Sequence, residues 1–107
     1  MDKIIQTHED NRRKLIEWVS DYPIRACKVV VAKKDCVVGE HYHKEKDEIF
    51  YLLNGNGEVI LDGKAEKLNE GDVVFVSRNI KHSFALDDNS ILLGACSKPF
   101  DPNDDYT

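Results

Sequence analysis

The stretch GEHYHKEKDEIFYLLNG, residues 39–55, decides both the fold and the chemistry that this sequence predicts. Its first part is typical of a strand, in which successive side chains point to opposite faces. The imidazoles of His41 and His43 therefore project to one side, and Tyr42 points away. A charged turn follows at 44–47, and Glu48 opens the next strand. A hairpin at this turn would bring the Glu48 carboxylate back alongside the two histidines.

A second stretch, GDVVFVSRNIKHSFAL at residues 71–86, supplies a third histidine. His82 opens a strand after a turn at 77–80. Three imidazoles and one carboxylate that meet at a point form a ligand set suited to Zn, Mn, Fe, Ni or Co. We therefore predict one divalent transition metal, of open identity, on His41, His43, Glu48 and His82. The alternative is that the His pair acts as acid and base without an ion.

The chain after Pro23 is a series of short strand-like runs separated by turn residues. Val, Ile, Phe and Tyr are frequent in the runs, whereas Gly, Asn and Asp mark the turns. Asp62-Gly63 is the strongest hairpin signal, because both central positions of a type I′ turn need positive φ. Asn54-Gly55 and Glu70-Gly71 mark other turns. The pattern predicts an all-β sandwich or barrel with eight strands, at 24–33, 36–43, 48–53, 57–61, 64–68, 72–77, 81–86 and 91–96.

The two stretches resemble the two motifs of the cupin family. The run 39–43, with Glu48 and Gly55, is similar to the first motif, and residues 71–82 are similar to the second. The resemblance covers about residues 35–86 and implies a small, single-domain, metal-binding, RmlC-like cupin. Its fold would be a double-stranded β-helix, or jelly roll, with the metal on the four residues named above. The sequence departs from the motifs at Asp35, Ser77, Asn79 and Leu86, but no departure removes a ligand, and Asn79 suits a left-handed turn.

The two ends of the chain are predicted to lie outside the barrel. Residues 1–23 are predicted to form an extension with a short helix that Thr7 caps and Pro23 ends. The apolar stripe of this helix would be Leu15, Ile16, Trp18 and Val19, and His8 would be solvated. The barrel is predicted over 24–97 and is followed by a C-terminal tail, 98–107, of which Asp101 to Thr107 are predicted to be an exposed extension.

Composition excludes several classes of protein. Hydrophobic residues make up 41% and charged residues 33% of the 107 residues, as in an ordinary globular domain. The net charge of −5 comes without a basic stripe, which argues against binding to nucleic acid. No apolar run is long enough to span a bilayer, and no signal-peptide stretch is visible, so a cytoplasmic protein is expected.

The three cysteines, Cys27, Cys36 and Cys96, are odd in number and widely spaced. This argues against a disulfide framework and against a thiolate zinc site. Cys27 and Cys96 lie in apolar runs and are predicted to be small buried hydrophobes rather than nucleophiles.

Strand parity predicts the surroundings of the metal site. Phe50 and Leu52 share a face with Glu48, and Phe84 and Leu86 share one with His82. These four residues are candidates to line an apolar cavity, or to form ordinary barrel core. Arg25 and Lys28, in the first barrel strand, are expected to be solvated, and the alternative is that they reach a phosphate or carboxylate at the barrel mouth.

The predicted function is that of a metal-dependent enzyme on a small molecule, with His41, His43 and Glu48 as catalytic residues. A metal with two open positions could act as a Lewis acid in isomerisation or epimerisation of a sugar or sugar derivative. The tail from Ser97 to Tyr106 resembles the end of small cupins that isomerise nucleotide-linked keto sugars. The alternatives are an Fe-dependent dioxygenase and a non-catalytic module that binds a small ligand. Small size and apolar strand faces predict a homodimer.

Overall fold

The computed structural model describes residues 4–19 and 23–107. Within these ranges the chain forms strands and a single three-residue 3-10 turn, η1, at Pro102–Asp104, so a transmembrane helix is absent from this part of the chain. The strands are β1 (Ile4–Glu9), β2 (Lys14–Val19), β3 (Ala26–Val31), β4 (Cys36–His41), β5 (Glu48–Asn54), β6 (Asn56–Leu61), β7 (Lys64–Asn69), β8 (Val73–Val76), β9 (His82–Leu86) and β10 (Ile91–Cys96).

Eight of the strands form two antiparallel four-stranded sheets. The first sheet has the order β3-β10-β5-β8, and the second has the order β4-β9-β6-β7. The core lies between them, because alternate side chains of both sheets meet there. Its buried members are Ala32, Phe50, Leu52, Val59, Leu68, Val76, Phe84, Leu86 and Leu92. The predicted all-β jelly roll is confirmed.

The strand and turn predictions after Pro23 are confirmed to within about two residues at each strand end, the usual uncertainty of such boundaries. Asp62 and Gly63 both have positive φ, 47° and 82°, as a type I′ hairpin requires. Asn79, one of the departures from the motifs, also adopts a left-handed conformation, with φ 68°. The departure from the motif at this position therefore leaves the loop intact.

The predicted N-terminal helix is wrong. Residues 4–19 form a hairpin in which Ile4 pairs with Val19 and Glu9 with Lys14. Asp10 makes the turn, since its Oδ1 accepts hydrogen bonds from the backbone N–H groups of Arg12, at 2.8 Å, and Arg13, at 3.1 Å. A carboxylate that bonds to the backbone two and three residues ahead stabilises a turn as readily as a helix start. Residues 1–3 and 20–22 of the predicted extension lie outside the described residues.

Candidate functional site

Four predicted residues meet at one end of the barrel, between the two sheets. His41 ends β4 and His43 follows it, while Glu48 opens β5 and His82 opens β9. The candidate ligand nitrogens of the three histidines all lie within 4.8 Å of one another. Glu48 Oε1 lies 3.3 Å from His43 Nε2 and 3.6 Å from His82 Nε2. His43, His82 and Glu48 are buried, and His41 is partly exposed, so the cluster opens to solvent at His41.

A bulge in β4 determines which side chains face this cluster. Cys36 and Val38 pack against the core, whereas Val37 is 66% exposed, so even-numbered residues face inward at the start of the strand. The register with β9 shifts between Gly39, which pairs with Ser83, and His41, which pairs with His82. An extra residue in a strand reverses the alternation of its side chains. The bulge therefore turns the odd-numbered His41 and His43 inward.

Glu48 has one paired and one unpaired carboxylate oxygen. Its Oε2 lies 3.1 Å from Lys28 Nζ and accepts a hydrogen bond from Cys96 Sγ at 3.3 Å. Its Oε1 is buried and accepts no hydrogen bond, although two imidazoles face it. A buried carboxylate oxygen without a partner is costly. A cation held between this oxygen and the imidazoles would satisfy it, so the four side chains fit a metal ion.

The opposite nitrogens of all three imidazoles face acceptors on the chain. His43 Nδ1 lies 2.6 Å from the Asp104 carbonyl, and His82 Nδ1 lies 3.0 Å from the Ile80 carbonyl. His41 Nδ1 lies 3.1 Å from Asp105 Oδ1. A carbonyl only accepts, so the proton of His43 and His82 sits on Nδ1. In the neutral rings Nε2 is therefore the unprotonated nitrogen, which can bind a cation placed between it and Glu48 Oε1.

Burial and charge set the protonation of the cluster. Burial lowers the pKa of His82, and burial together with neighbouring His43 lowers that of His41. Burial also opposes charge on His43, but the Glu48 carboxylate and the Asp104 carbonyl outweigh it and raise its pKa. Burial likewise works against ionisation of Glu48, yet His43 and Lys28 hold its pKa well below the usual range. The carboxylate is thus ionised, as a metal ligand must be.

Cys96 is a hydrogen-bond donor in this site and not a nucleophile. Burial and the adjacent Glu48 carboxylate raise the pKa of its thiol to about 11. The neutral thiol is unreactive, since the thiolate is the nucleophilic form. Cys27, which was predicted to be buried, is exposed on the outer side of β3.

The predicted lining residues are all buried. The rings of Phe50 and Phe84 both lie 6.5 Å from the His82 ring, centroid to centroid, next to the cluster. Leu52 and Leu86 belong to the hydrophobic core. No contact distinguishes a cavity wall from core for these four side chains, so their role as lining residues stays a prediction.

Sequence reasoning missed the part that Lys28 plays. It was expected to be solvated, but its ammonium group reaches inward to Glu48. The room for its stem comes from Gly94 on the neighbouring strand, where an added Cβ would lie 3.0 Å from Lys28 Cγ and 2.9 Å from Phe50 Cε1. A glycine within an apolar strand was the available signal, because such a residue often marks a close approach.

The prediction that the tail is an exposed extension is wrong for its last residues. Asp104 is 6% exposed, and Tyr106 forms a β-bridge with Tyr42. These contacts join residues about sixty positions apart, which no local pattern in the sequence reveals.

Comparison with known proteins identifies the family. A cupin domain model matches residues 27–93, well over half of the chain. The chain belongs to the cupin family. Among curated proteins, this cupin is 31% identical over 87 residues to the pectin degradation protein KdgF of Dickeya dadantii, an alignment that covers 80% of this chain and 76% of KdgF. It is also 36% identical over 73 residues to quercetin 2,3-dioxygenase of Bacillus subtilis, covering 64% of this chain and 21% of that protein.

The same family includes close structural neighbours of this cupin. A 3,4-ketoisomerase from Helicobacter canadensis superimposes with a TM-score of 0.84 at 25% identity, over 98% of this chain and 90% of the other. The chain spans about half the length or less of the first two curated relatives that it matches.

Proposed function

We propose that this cupin is a metal-dependent enzyme that isomerises a keto sugar or a related sugar derivative. The observation that carries the proposal is the unpaired, buried Oε1 of Glu48, which faces the imidazoles of His43 and His82. Together with His41 these side chains would hold one divalent transition metal. A bound ion would supply Lewis-acid stabilisation of negative charge on a carbonyl oxygen.

The chain's own residues have distinct parts in this proposal. Lys28 compensates the charge of Glu48 from the side away from the imidazoles, and it leaves Oε1 free. Phe50 and Phe84 flank His82 and exclude water from the inner side of the cluster. Substrate would enter where the cluster is exposed, at His41 and Asp105. The proton that leaves the hydroxyl-bearing carbon next to the carbonyl and is delivered to the former carbonyl carbon would be taken and returned on this side, while the hydroxyl proton passes to the former carbonyl oxygen.

The choice of a sugar rests on the relatives. One is named for pectin degradation, and the structural neighbours include 3,4-ketoisomerases and an epimerase. The tail, which resembles the end of small cupins that isomerise nucleotide-linked keto sugars, contacts His41 and His43 through Asp105 and Asp104 and so supports the proposal. We expect the protein to act in the cytoplasm on a small carbohydrate.

A dioxygenase is the second candidate, because of a specific observation. Quercetin 2,3-dioxygenase and an acireductone dioxygenase from Bacillus velezensis match this chain at 36% and 34% identity. The same three imidazoles and carboxylate would suit iron, which directs such a site towards oxygen.

Solvent deuterium exchange distinguishes the two candidates. We expect the metal-loaded protein, incubated in D2O with a panel of free and nucleotide-linked keto sugars, to introduce deuterium at the carbon next to the carbonyl of its substrate. Proton NMR follows the exchange, and an oxygen electrode follows dioxygenase activity in parallel. Oxygen uptake without exchange would replace the isomerase by the dioxygenase. Saturable sugar binding with neither reaction would leave a binding module.

We also propose that the protein is a homodimer through the outer face of the first sheet. Val29, Leu93 and Val73 lie on this face as an apolar row, and Tyr51, the cross-strand neighbour between Leu93 and Val73, is buried within the chain. Val29 is 62% exposed and Val73 39%. An apolar cavity of about 220 Å³ opens on this face beside Val29 and Leu93. A second copy would cover the uncharged row by two-fold symmetry, with side chains of one copy filling the cavity of the other.

A single charge in the row should separate the subunits. Val29→Glu places a carboxylate in the centre of the proposed interface, so we expect the variant to sediment as a 12.2 kDa monomer while the unmodified chain sediments at twice that mass. Val37→Glu is the matched control, because Val37 is 66% exposed on the second sheet. A monomeric unmodified chain, or a dimer unaffected by Val29→Glu, would contradict the interface.

A further inference from the structure

We propose that the C-terminal arm, residues 101–107, is a working part of the metal site that fixes the orientation and tautomer of His41 and His43. The inference rests on the proposed metal-dependent function and extends it to residues outside the ligand set. The arm touches the site at two successive residues, Asp104 and Asp105, one for each histidine.

The arm is fastened beside the ligands by backbone pairing. Tyr42, between the two histidines, exchanges hydrogen bonds with Tyr106, from Tyr42 N to Tyr106 O at 2.9 Å and from Tyr106 N to Tyr42 O at 3.1 Å. The two rings stack with their centroids 5.3 Å apart, and Lys44 Nζ lies 4.5 Å from the Tyr106 ring centroid. The arm is thus paired with the segment that carries His41 and His43.

Asp104 is hydrogen-bonded to the loop that follows His43. Its carboxylate accepts hydrogen bonds from the backbone N–H of Lys44 at 2.8 Å and of Glu45 at 3.2 Å, and its carbonyl lies 2.6 Å from His43 Nδ1. The short turn η1 presents these groups, and Asp101 starts that turn by accepting a hydrogen bond from Asn103 N. A buried aspartate thereby fixes both the backbone after His43 and the ring of His43.

Asp105 acts on the neighbouring imidazole. Its Oδ1 lies 3.1 Å from His41 Nδ1, and about a third of its side chain is exposed. His41 is the most exposed of the three histidines, with 25% of its side chain accessible, and its ring packs against those of His43 and His82. A carboxylate on Nδ1 favours the proton on that nitrogen and leaves Nε2 to face the cluster.

Fixing an imidazole through its outer nitrogen is how proteins prepare a histidine for a metal. Loss of such an outer partner typically lowers metal affinity 10- to 100-fold. Asp104 and Asp105 are therefore positioning residues: they would contact neither the ion nor the substrate, and they would set the direction of two lone pairs.

The test compares three variants with the unmodified chain. Asp105→Ala removes the carboxylate on His41, and Asp104→Ala removes the carboxylate bonds to Lys44 and Glu45 that hold the Asp104 carbonyl against His43. Asp88→Ala is the control, because Asp88 is exposed and follows the end of β9 that lies away from His82. Affinity for Zn²⁺ is measured by competition with a chromophoric chelator. We expect about 10- to 100-fold weaker binding for both arm variants and unchanged binding for the control. Asp105→Asn keeps an acceptor oxygen and should recover much of the affinity.

A second readout needs no metal. Long-range ¹H–¹⁵N NMR of the apo protein at slightly alkaline pH reports which ring nitrogen carries the proton. We expect Nδ1–H for His41 in the unmodified chain and a mixture of tautomers in Asp105→Ala, with unchanged thermal unfolding. Unchanged tautomers and Zn²⁺ affinity in the arm variants would overturn the role of the arm. Failure of the unmodified chain to bind Zn²⁺, Mn²⁺, Fe²⁺, Ni²⁺ or Co²⁺ would overturn the proposed function instead.

Discussion

Replacing Glu48 by Gln is expected to abolish metal retention and turnover while the barrel stays folded. The substitution keeps the size of the side chain but removes the negative charge at Oε1, the buried oxygen that faces two imidazoles. Loss of outer-shell partners already lowers affinity 10- to 100-fold, so loss of a charged ligand should lower it on the order of 100-fold or more. Lys28 loses its partner, but its side chain is 42% exposed and can turn to solvent.

The control for this variant is Glu66→Gln, on the exposed face of β7. Metal content, turnover and circular dichroism are measured on both, together with His82→Ala, which removes a buried imidazole at the same site. Glu66→Gln should behave as the unmodified chain. Full metal content in both Glu48→Gln and His82→Ala would show that the ion, if bound, lies elsewhere.

Gly55→Ala is expected to destabilise the fold by about 3 kcal/mol or more, from strained φ and lost hydrogen bonds. Gly55 has φ 99°, and an added Cβ would lie 2.2 Å from Ser90 Oγ and 2.7 Å from Ser90 Cα. The Ser90 hydroxyl is fully buried and bonds to both the N–H and the carbonyl of Asn56. Ser90 must move, and both bonds would break.

Gly63→Ala separates the effect of crowding from that of φ. Gly63 also has positive φ, 82°, but nothing lies within 4 Å of an added Cβ. Gly63→Ala should lower the free energy of unfolding by only about 1 kcal/mol, from backbone strain alone. Urea unfolding measures both free energies. Equal losses in the two variants would contradict the close contact between Gly55 and Ser90.

Local pattern was sufficient for the barrel. Strand runs with turn residues at Asp62-Gly63 and Asn54-Gly55 predicted eight strands, because hairpin turns depend on the conformational preferences of the residues within them. The same reasoning failed at residues 4–19. Leu15, Ile16, Trp18 and Val19 suit a strand as well as a helix, and Asp10 caps a turn in either case.

The sequence predicted the four candidate ligands of the site but not the residues that surround them. The four candidate ligand residues follow from the motifs, and the structure brings them together. The partners that surround them depend on contacts between distant segments, such as Lys28 with Glu48 and Asp104 with His43. Strand parity could not predict the bulge at Gly39, which turns His41 inward. Such features arise from packing, and packing has no signature in a short window of sequence.

The metal content of the protein tests the central claim most directly. The untagged chain would be purified without added metals or chelators, analysed for transition metals, and then titrated with Zn²⁺, Mn²⁺, Fe²⁺, Ni²⁺ and Co²⁺ by calorimetry. We predict saturation at about one ion per chain, because His41, His43, Glu48 and His82 form a single cluster. No metal as purified, with none taken up in the titrations, would contradict the account and leave a cupin whose histidines work without an ion.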